Sequence, residues 1–252
     1  MLYAAVTNDE RNAADEFFST ASKKEPNMQY PLIAREGYPI IYTVCAIVLV
    51  CMTGAWLSRG IPAMCFSVLA ITGFLFLLFC LYFFRDPERV PTRDDHALIS
   101  PADGTVIDVK NVTENCYLQA PAQRISIFMS VFNVHVNRTP LSGTIDYVQY
   151  NPGKFINAFK EKASEDNENL LIGIRSQEGG VKIAVRFIAG LIARRIVFYK
   201  KKEDIVVQGE RINIIRFGSR VDLFCPPGSE ILVKSGQKVT AGITVMARLK
   251  AK

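Results

Sequence analysis

The chain has 252 residues, room for one or two domains, and 49% of them are hydrophobic, high for a soluble protein. Residues 85–252 hold 25 Lys and Arg against 18 Asp and Glu, while residues 1–84 hold 5 against 6, so the net charge of +6 belongs to the C-terminal part. With no aromatic-basic motif beside it, that charge suits an anionic membrane surface and excludes nucleic acid as an expected partner. Residues 1–36 are polar and lack the charged start and short apolar core of a secretory signal peptide. Two charge-free runs follow, Pro39 to Leu57 and Ile61 to Phe84, of 19 and 24 residues. At ~1.5 Å per residue, each is long enough for a helix crossing a hydrocarbon core of ~30 Å. Only Ser58-Arg59-Gly60 joins them, so they form a hairpin with both flanks on one side. Arg35, Arg85, Arg89 and Arg93 flank the hairpin and Arg59 alone sits in the loop, which puts both flanks in the cytoplasm. Cys45, Cys51, Cys65 and Cys80 lie inside these runs without CxxC spacing, as small buried hydrophobes and not as a disulfide framework or zinc site.

From Ala97 the pattern changes. Short runs rich in β-branched residues alternate with Gly, Pro and Asn: "GTVIDVKNV", "ISIFMSVF", "SGTIDYVQY", "VKIAVRFIAG", "RRIVFYK", "EILVKSG" and "GITVMARL". These are strand signals. One stretch, Lys154 to Asn169, carries Phe155, Ile156 and Phe159 on one helical face with Lys160 and Lys162 nearby, and is expected to be helical. The final "EILVKSGQKVTAGITVMARL" has the shape of a hairpin in lipoyl-like β-sandwiches but no modifiable Lys at a tip beside Met. The expected fold is therefore mainly β, a compact sandwich or barrel-sandwich domain over 85–252. It follows a polar extension, 1–36, and a transmembrane helical hairpin, 37–84.

Three places offer chemistry. His96, in "RDDHAL", belongs to a solvated charge cluster, but His135 sits inside "FMSVFNVHVNRTP", either as a satisfied strand residue or as a proton carrier. Asp103, in "SPADGTV", either caps its turn or is held for proton transfer. Gly218-Ser219 separates two apolar runs in "IIRFGSRVDLFCP". A turn is the plain reading. The chemical one is that Ser219 attacks the carbonyl before it, activated as hydrolytic serines are by a His and an Asp. Gly218 tolerates the dihedrals this requires. The product is a main-chain ester, and β-elimination then leads to a pyruvoyl group.

The ordered set "FFRDPERVP", "SPADGTV", "FMSVFNVHVNRTP", "NPGKFINAFKEKASEDNE", "IAGLIARRIV" and "GERINIIRFGSRVDLFCP" resembles the phosphatidylserine decarboxylases, in their short bacterial and archaeal branch. The resemblance runs from about Tyr82 to the C-terminus. It implies self-cleavage between Gly218 and Ser219 into chains 1–218 and 219–252 that stay together as a heterodimer. It implies a pyruvoyl cofactor made from Ser219, no metal, and catalytic roles for Ser219, His135 and Asp103. The longer enzymes have a second His where Arg138 stands, so either His135 serves both cleavage and decarboxylation or Arg138 takes an electrostatic part. Where the family often has Arg, Asn169 follows "NE", which weakens a phosphate role there. Arg138, Phe155, Asn157, Phe159 and Lys162 are the candidate substrate contacts. The function expected is decarboxylation of phosphatidylserine to phosphatidylethanolamine at the inner face of the cell membrane, with the catalytic domain cytoplasmic. A decarboxylase of another serine phospholipid, such as an archaetidylserine, and an uncleaved membrane-tethered β-sandwich adaptor are the alternatives.

Overall fold

The computed structural model describes residues 32–91, 94–153, 167–176, 180–190, 196–216 and 218–250. It divides into two compact units at Glu88/Arg89.

The smaller unit is a helical hairpin. A single 3-10 turn, Arg35–Gly37, leads into α1 (Tyr38–Leu57), and α2 (Ile61–Phe83) follows. Each helix has a proline in its first turn, where the missing N–H costs nothing. Gly60 turns the chain between them at φ 65°. The helices approach closely at glycine: a methyl group on Gly54 would lie 2.9 Å from Phe66, and one on Gly73 would lie 2.8 Å from Val48. Both helices are long and apolar enough to cross a membrane. Most of their large side chains, Leu49, Val50, Trp56, Met64, Val68 and Leu75 among them, face outward. The two ends of the hairpin are tied by main-chain bonds. Ala34 N–H donates to Phe84 O at 2.7 Å and Asp86 N–H to Leu32 O at 2.7 Å.

The larger unit is antiparallel β throughout its described pairs. Its strands are β1 (Ala97–Ile99), β2 (Gly104–Glu114), β3 (Ala120–Met129), β4 (Val136–Arg138), β5 (Gly143–Asn151), β6 (Asn169–Ser176) and β7 (Lys182–Ala189). They continue as β8 (Ile196–Phe198), β9 (Ile205–Val206), β10 (Arg211–Ile215), β11 (Ser219–Cys225), β12 (Glu230–Ile231), β13 (Lys238–Val239) and β14 (Val245–Arg248). An eight-stranded sheet runs β13-β2-β3-β11-β7-β6-β5-β9, and two three-stranded sheets run β1-β14-β12 and β4-β10-β8. The core is shared by all three: Val106, Ile127, Val185 and Leu223 from the large sheet, Leu98 and Met246 from one small sheet, and Phe198 and Ile212 from the other. The β-rich domain behind a helical hairpin is the fold the sequence implies.

Two expectations change. The helix expected over 154–169 falls on undescribed residues up to 166, and its end is strand, since Asn169 opens β6. β6 is buried along nearly its whole length, so it lacks the two-residue alternation by which a half-exposed strand is recognised. The C-terminal run is not one hairpin either: β12 pairs with β14, while β13 between them pairs with β2 in the large sheet.

Candidate active site

β11 is the fourth strand of eight, hydrogen-bonded to β3 on one side and β7 on the other. Its first residue is Ser219, opposite Met129 on β3 and Ala189 on β7. Side chains alternate along a strand, so Ser219 shares the core face with Val221, Leu223 and Cys225. Ser219 is wholly buried, and its hydroxyl donates to the Met129 sulfur at 3.1 Å. The opposite face carries the ion pair of Arg220 and Asp222, with Arg220 Nε 2.7 Å from Asp222 Oδ1 and Nη2 donating to Ser126 Oγ at 3.1 Å. That pairing satisfies both buried charges and fixes the strand one residue beyond Ser219.

Gly218 enters β11 at φ 71°, a left-handed conformation that glycine adopts without penalty. Both of its polar groups are held. Its N–H donates to Nε2 of His135 at 3.3 Å, and its carbonyl accepts the N–H of Gly190 at 3.1 Å. His135 lies in the approach to β4 and is wholly buried. Its Nδ1 is 2.9 Å from the carbonyl oxygen of Asn133. A carbonyl only accepts, so Nδ1 carries the proton, and Nε2 presents its lone pair toward Gly218. Asn133 is held in turn by Ser130, whose N–H and hydroxyl both donate to its side-chain oxygen, at 2.8 and 2.9 Å.

Asp103 is placed differently from a carboxylate that orients the histidine. Among the described residues its hydrogen bonds come from Arg89, Nη1 to Oδ1 at 2.6 Å and Nη2 to Oδ2 at 2.9 Å, and from Ala241 N–H at 2.7 Å. The orienting partner of His135 is the Asn133 carbonyl. The connection from Asp103 to the histidine runs through main chain: Arg138 N–H, three residues past His135, donates to Pro101 O at 2.8 Å.

A family model described as phosphatidylserine decarboxylase matches residues 76–247. The chain belongs to the phosphatidylserine decarboxylase family. A phosphatidylserine decarboxylase proenzyme of Magnetococcus marinus is 43% identical over 221 residues, 88% of this chain and 97% of that one. One of Carboxydothermus hydrogenoformans is 42% identical over 228 residues, 90% of this chain and 99% of that one. One of Erythrobacter litoralis is 42% identical over 250 residues, 94% and 95%.

Of the residues singled out by resemblance to phosphatidylserine decarboxylases, the structure brings together Gly218, Ser219 and His135. Arg138 is 3% exposed and donates Nη1 to Gly209 O at 2.9 Å, which braces the turn before β10. Phe155, Asn157, Phe159 and Lys162 lie outside the described residues. Among the described residues no group of three His, Cys, Asp or Glu is arranged to hold a metal. The sequence reading missed Asn133, Met129 and Arg89 as partners of the site. Each adjoins or falls in a quoted motif, but the partner contacts of Met129 and Arg89 span 90 and 14 positions. Phe132 was also passed over. It is 64% exposed on the loop that leads to the buried His135.

Proposed function

We propose that this member of the family is a zymogen that cuts itself between Gly218 and Ser219 and then decarboxylates phosphatidylserine to phosphatidylethanolamine. The observation that carries the reading is Gly218: left-handed, with its N–H on the unprotonated nitrogen of a buried histidine, immediately before a buried serine. The names of the relatives support the substrate.

Cleavage begins when the Ser219 hydroxyl leaves the Met129 sulfur and attacks the Gly218 carbonyl carbon. Its proton passes to His135 Nε2, which supplies the base that an aliphatic hydroxyl needs. The Gly218 C–Ser219 N bond then breaks, the nitrogen takes the proton back, and an ester joins Gly218 to Ser219 Oγ. Removal of the Ser219 Cα proton expels the Gly218 carboxylate and leaves a dehydroalanine. Water hydrolyses it, releasing ammonia and leaving a ketone at the new N-terminus.

The residues present fit a pyruvoyl group: Ser219 supplies all its carbons, and β11 already holds that position between two strands. Such a ketone supplies the electron sink for loss of CO₂ from an amino-acid headgroup. His135 remains beside it to return a proton to the substrate carbon. Asp103 acts as a positioning residue, fixing through Arg89 and Ala241 the turn on which β4 rests. The undescribed segment with Phe155, Asn157, Phe159 and Lys162 is the proposed lipid contact, with Phe132 beside it in function.

The proposed setting is the inner membrane, crossed twice by α1 and α2, with residues 85–252 on the cytoplasmic side. Helix length, outward apolar side chains and the main-chain tie between the hairpin's two ends support this. The test is intact mass and lipid turnover of wild type and Ser219→Ala. Wild type should yield a 34-residue fragment, 219–252, and turn over phosphatidylserine; Ser219→Ala should stay whole and inactive. A wild type that stays whole while turning over lipid defeats the pyruvoyl reading. Preference for an ether-linked serine lipid over phosphatidylserine would redirect the substrate alone.

A further inference from the structure

The peptide unit between Ala189 and Gly190 is hydrogen-bonded at both ends. Its N–H is the donor to Gly218 O, and its carbonyl accepts from the side-chain amide of Asn167, Nδ2 to O at 2.7 Å. Asn167 is wholly buried, and its own main-chain carbonyl is held by Asn169 Nδ2 at 2.9 Å. Ala189 N–H donates to Glu168 O at 2.9 Å. The segment 167–169 therefore grips residue 189 from both of its peptide groups, and the register of β7 on β11 sets Ala189 opposite Ser219. One line of bonds runs from Asn167 through this peptide to the carbonyl that precedes Ser219.

We propose that this line is the oxyanion hole of self-cleavage. Gly190 N–H is the catalytic group, holding the negative charge that forms on Gly218 O, and Asn167 is the positioning residue that aims and polarises it. The inference rests on the reading that Ser219 attacks Gly218. As the Oγ–C bond forms, the carbonyl π pair moves onto Gly218 O and the hydroxyl proton moves to His135 Nε2. As the C–N bond breaks, the pair returns to the carbonyl and the proton moves to the Ser219 nitrogen. No oxidant or reductant enters. Negative charge grows only on Gly218 O, at a buried spot where an oriented donor counts for more than in water. A donor to the far carbonyl of the same peptide strengthens that N–H, because bonds in series polarise one another. An amide side chain can make that donation and a carboxylate cannot. In the cut enzyme the Gly218 carbonyl is no longer a reacting group, so the device serves cleavage and not decarboxylation.

The experiment follows release of the 219–252 fragment in time from freshly synthesised full-length protein in lipid nanodiscs, for wild type and Asn167→Ser, Asn167→Ala and Asn167→Asp. Asn167→Ala should cleave about tenfold or more slowly, part of the roughly 100- to 1,000-fold that a whole oxyanion donor contributes. Asn167→Ser, which keeps a donor, should be faster than Asn167→Ala, and Asn167→Asp slower despite matching Asn in volume. Packing alone gives the reverse for Asp, and this order holds as a test even if the alanine variant folds poorly. Hydroxylamine, which cuts the ester once formed, should not speed scission of Asn167→Ala. The fraction that does cleave should keep wild-type lipid turnover per pyruvoyl, counted by reductive trapping. Cleavage of Asn167→Ala at the wild-type rate, Asp outpacing Ala, or activity per pyruvoyl falling in step with cleavage would each overturn the proposal. A wild type that stays whole and inactive removes the self-cleavage reading itself, and this inference with it.

Discussion

Asp103 and Arg89 meet end-on, two guanidinium N–H groups on two carboxylate oxygens, with side chains 14% and 11% exposed. Arg89 also donates to Ala241 O at 2.8 Å, and Ala241 N–H returns a bond to Asp103, so the three residues close a ring. Removing one partner leaves the other charge largely buried, at a cost of about 3 kcal/mol. Arg89→Ala and Asp103→Asn should both lower the denaturation midpoint and slow self-cleavage together. If Asp103→Asn stalls cleavage while Arg89→Ala cleaves at the wild-type rate, Asp103 acts on the histidine directly and not through this ring.

His135→Gln should leave the chain whole far longer than wild type. The loss expected for a general base is about 100-fold or more. Fragment release followed on a gel is the measurement. Cleavage within a few-fold of wild type would move the base elsewhere.

Gly218→Ala separates space from conformation. Nothing lies within 4 Å of a methyl group there, so no clash arises, but φ 71° costs a side-chain residue about 1–2 kcal/mol. Either the backbone keeps that strain or it relaxes and withdraws the N–H from His135. The variant should fold, with a slightly lower melting temperature and slower scission. Scission at the wild-type rate would show that the left-handed entry to β11 is not needed.

A cysteine at Gly60 should react with an impermeant thiol reagent added outside cells, in a background without the native cysteines. The turn there is exposed and open, with nothing near a new side chain. Protection of Gly60→Cys with labelling of a cysteine in the β domain would invert the topology.

Cys225 closes β11 in the core, and burial pushes its thiol from 9.0 up to about 12. The folded state therefore favours the protonated form. Its contribution to stability is complete below pH 9 and is lost as the pH rises from 9 toward 12. Denaturation midpoints taken across that range should fall less steeply in Cys225→Ala than in wild type. Parallel curves would mean that the thiol does not ionise on unfolding.

Much of this molecule was legible from residue order. The hairpin follows from two uncharged runs and a three-residue link, and β2, β5, β7 and β14 follow from β-branched runs between turn residues. β6 was not legible, because "NLLIGIRS" is apolar on both faces and gives no period. At the site, Ser219 and His135 stood out as chemistry-bearing residues in matching motifs. Their partners did not. Asn133 acts through its carbonyl and Gly190 through its N–H, groups that every residue possesses, so only strand register singles them out. Asp103 looked like the third member of a triad because its motif gives no sign of Arg89, which binds it from outside the β strands.

The central position of β11 sets the fate of the protein after it is cut. The strand that begins at Ser219 lies between β3 and β7, and the same fragment carries β12, β13 and β14 into two sheets. Scission leaves those pairings in place, so the native state survives it. Refolding does not: before scission it is a first-order search by one chain, and afterward it needs an encounter between two. Stability of the cut form thus acquires a dependence on protein concentration that the uncut form lacks. Recovery from heat or denaturant should be good for the zymogen and poor for the mature enzyme at low concentration, which then lasts only as long as its unfolding barrier holds.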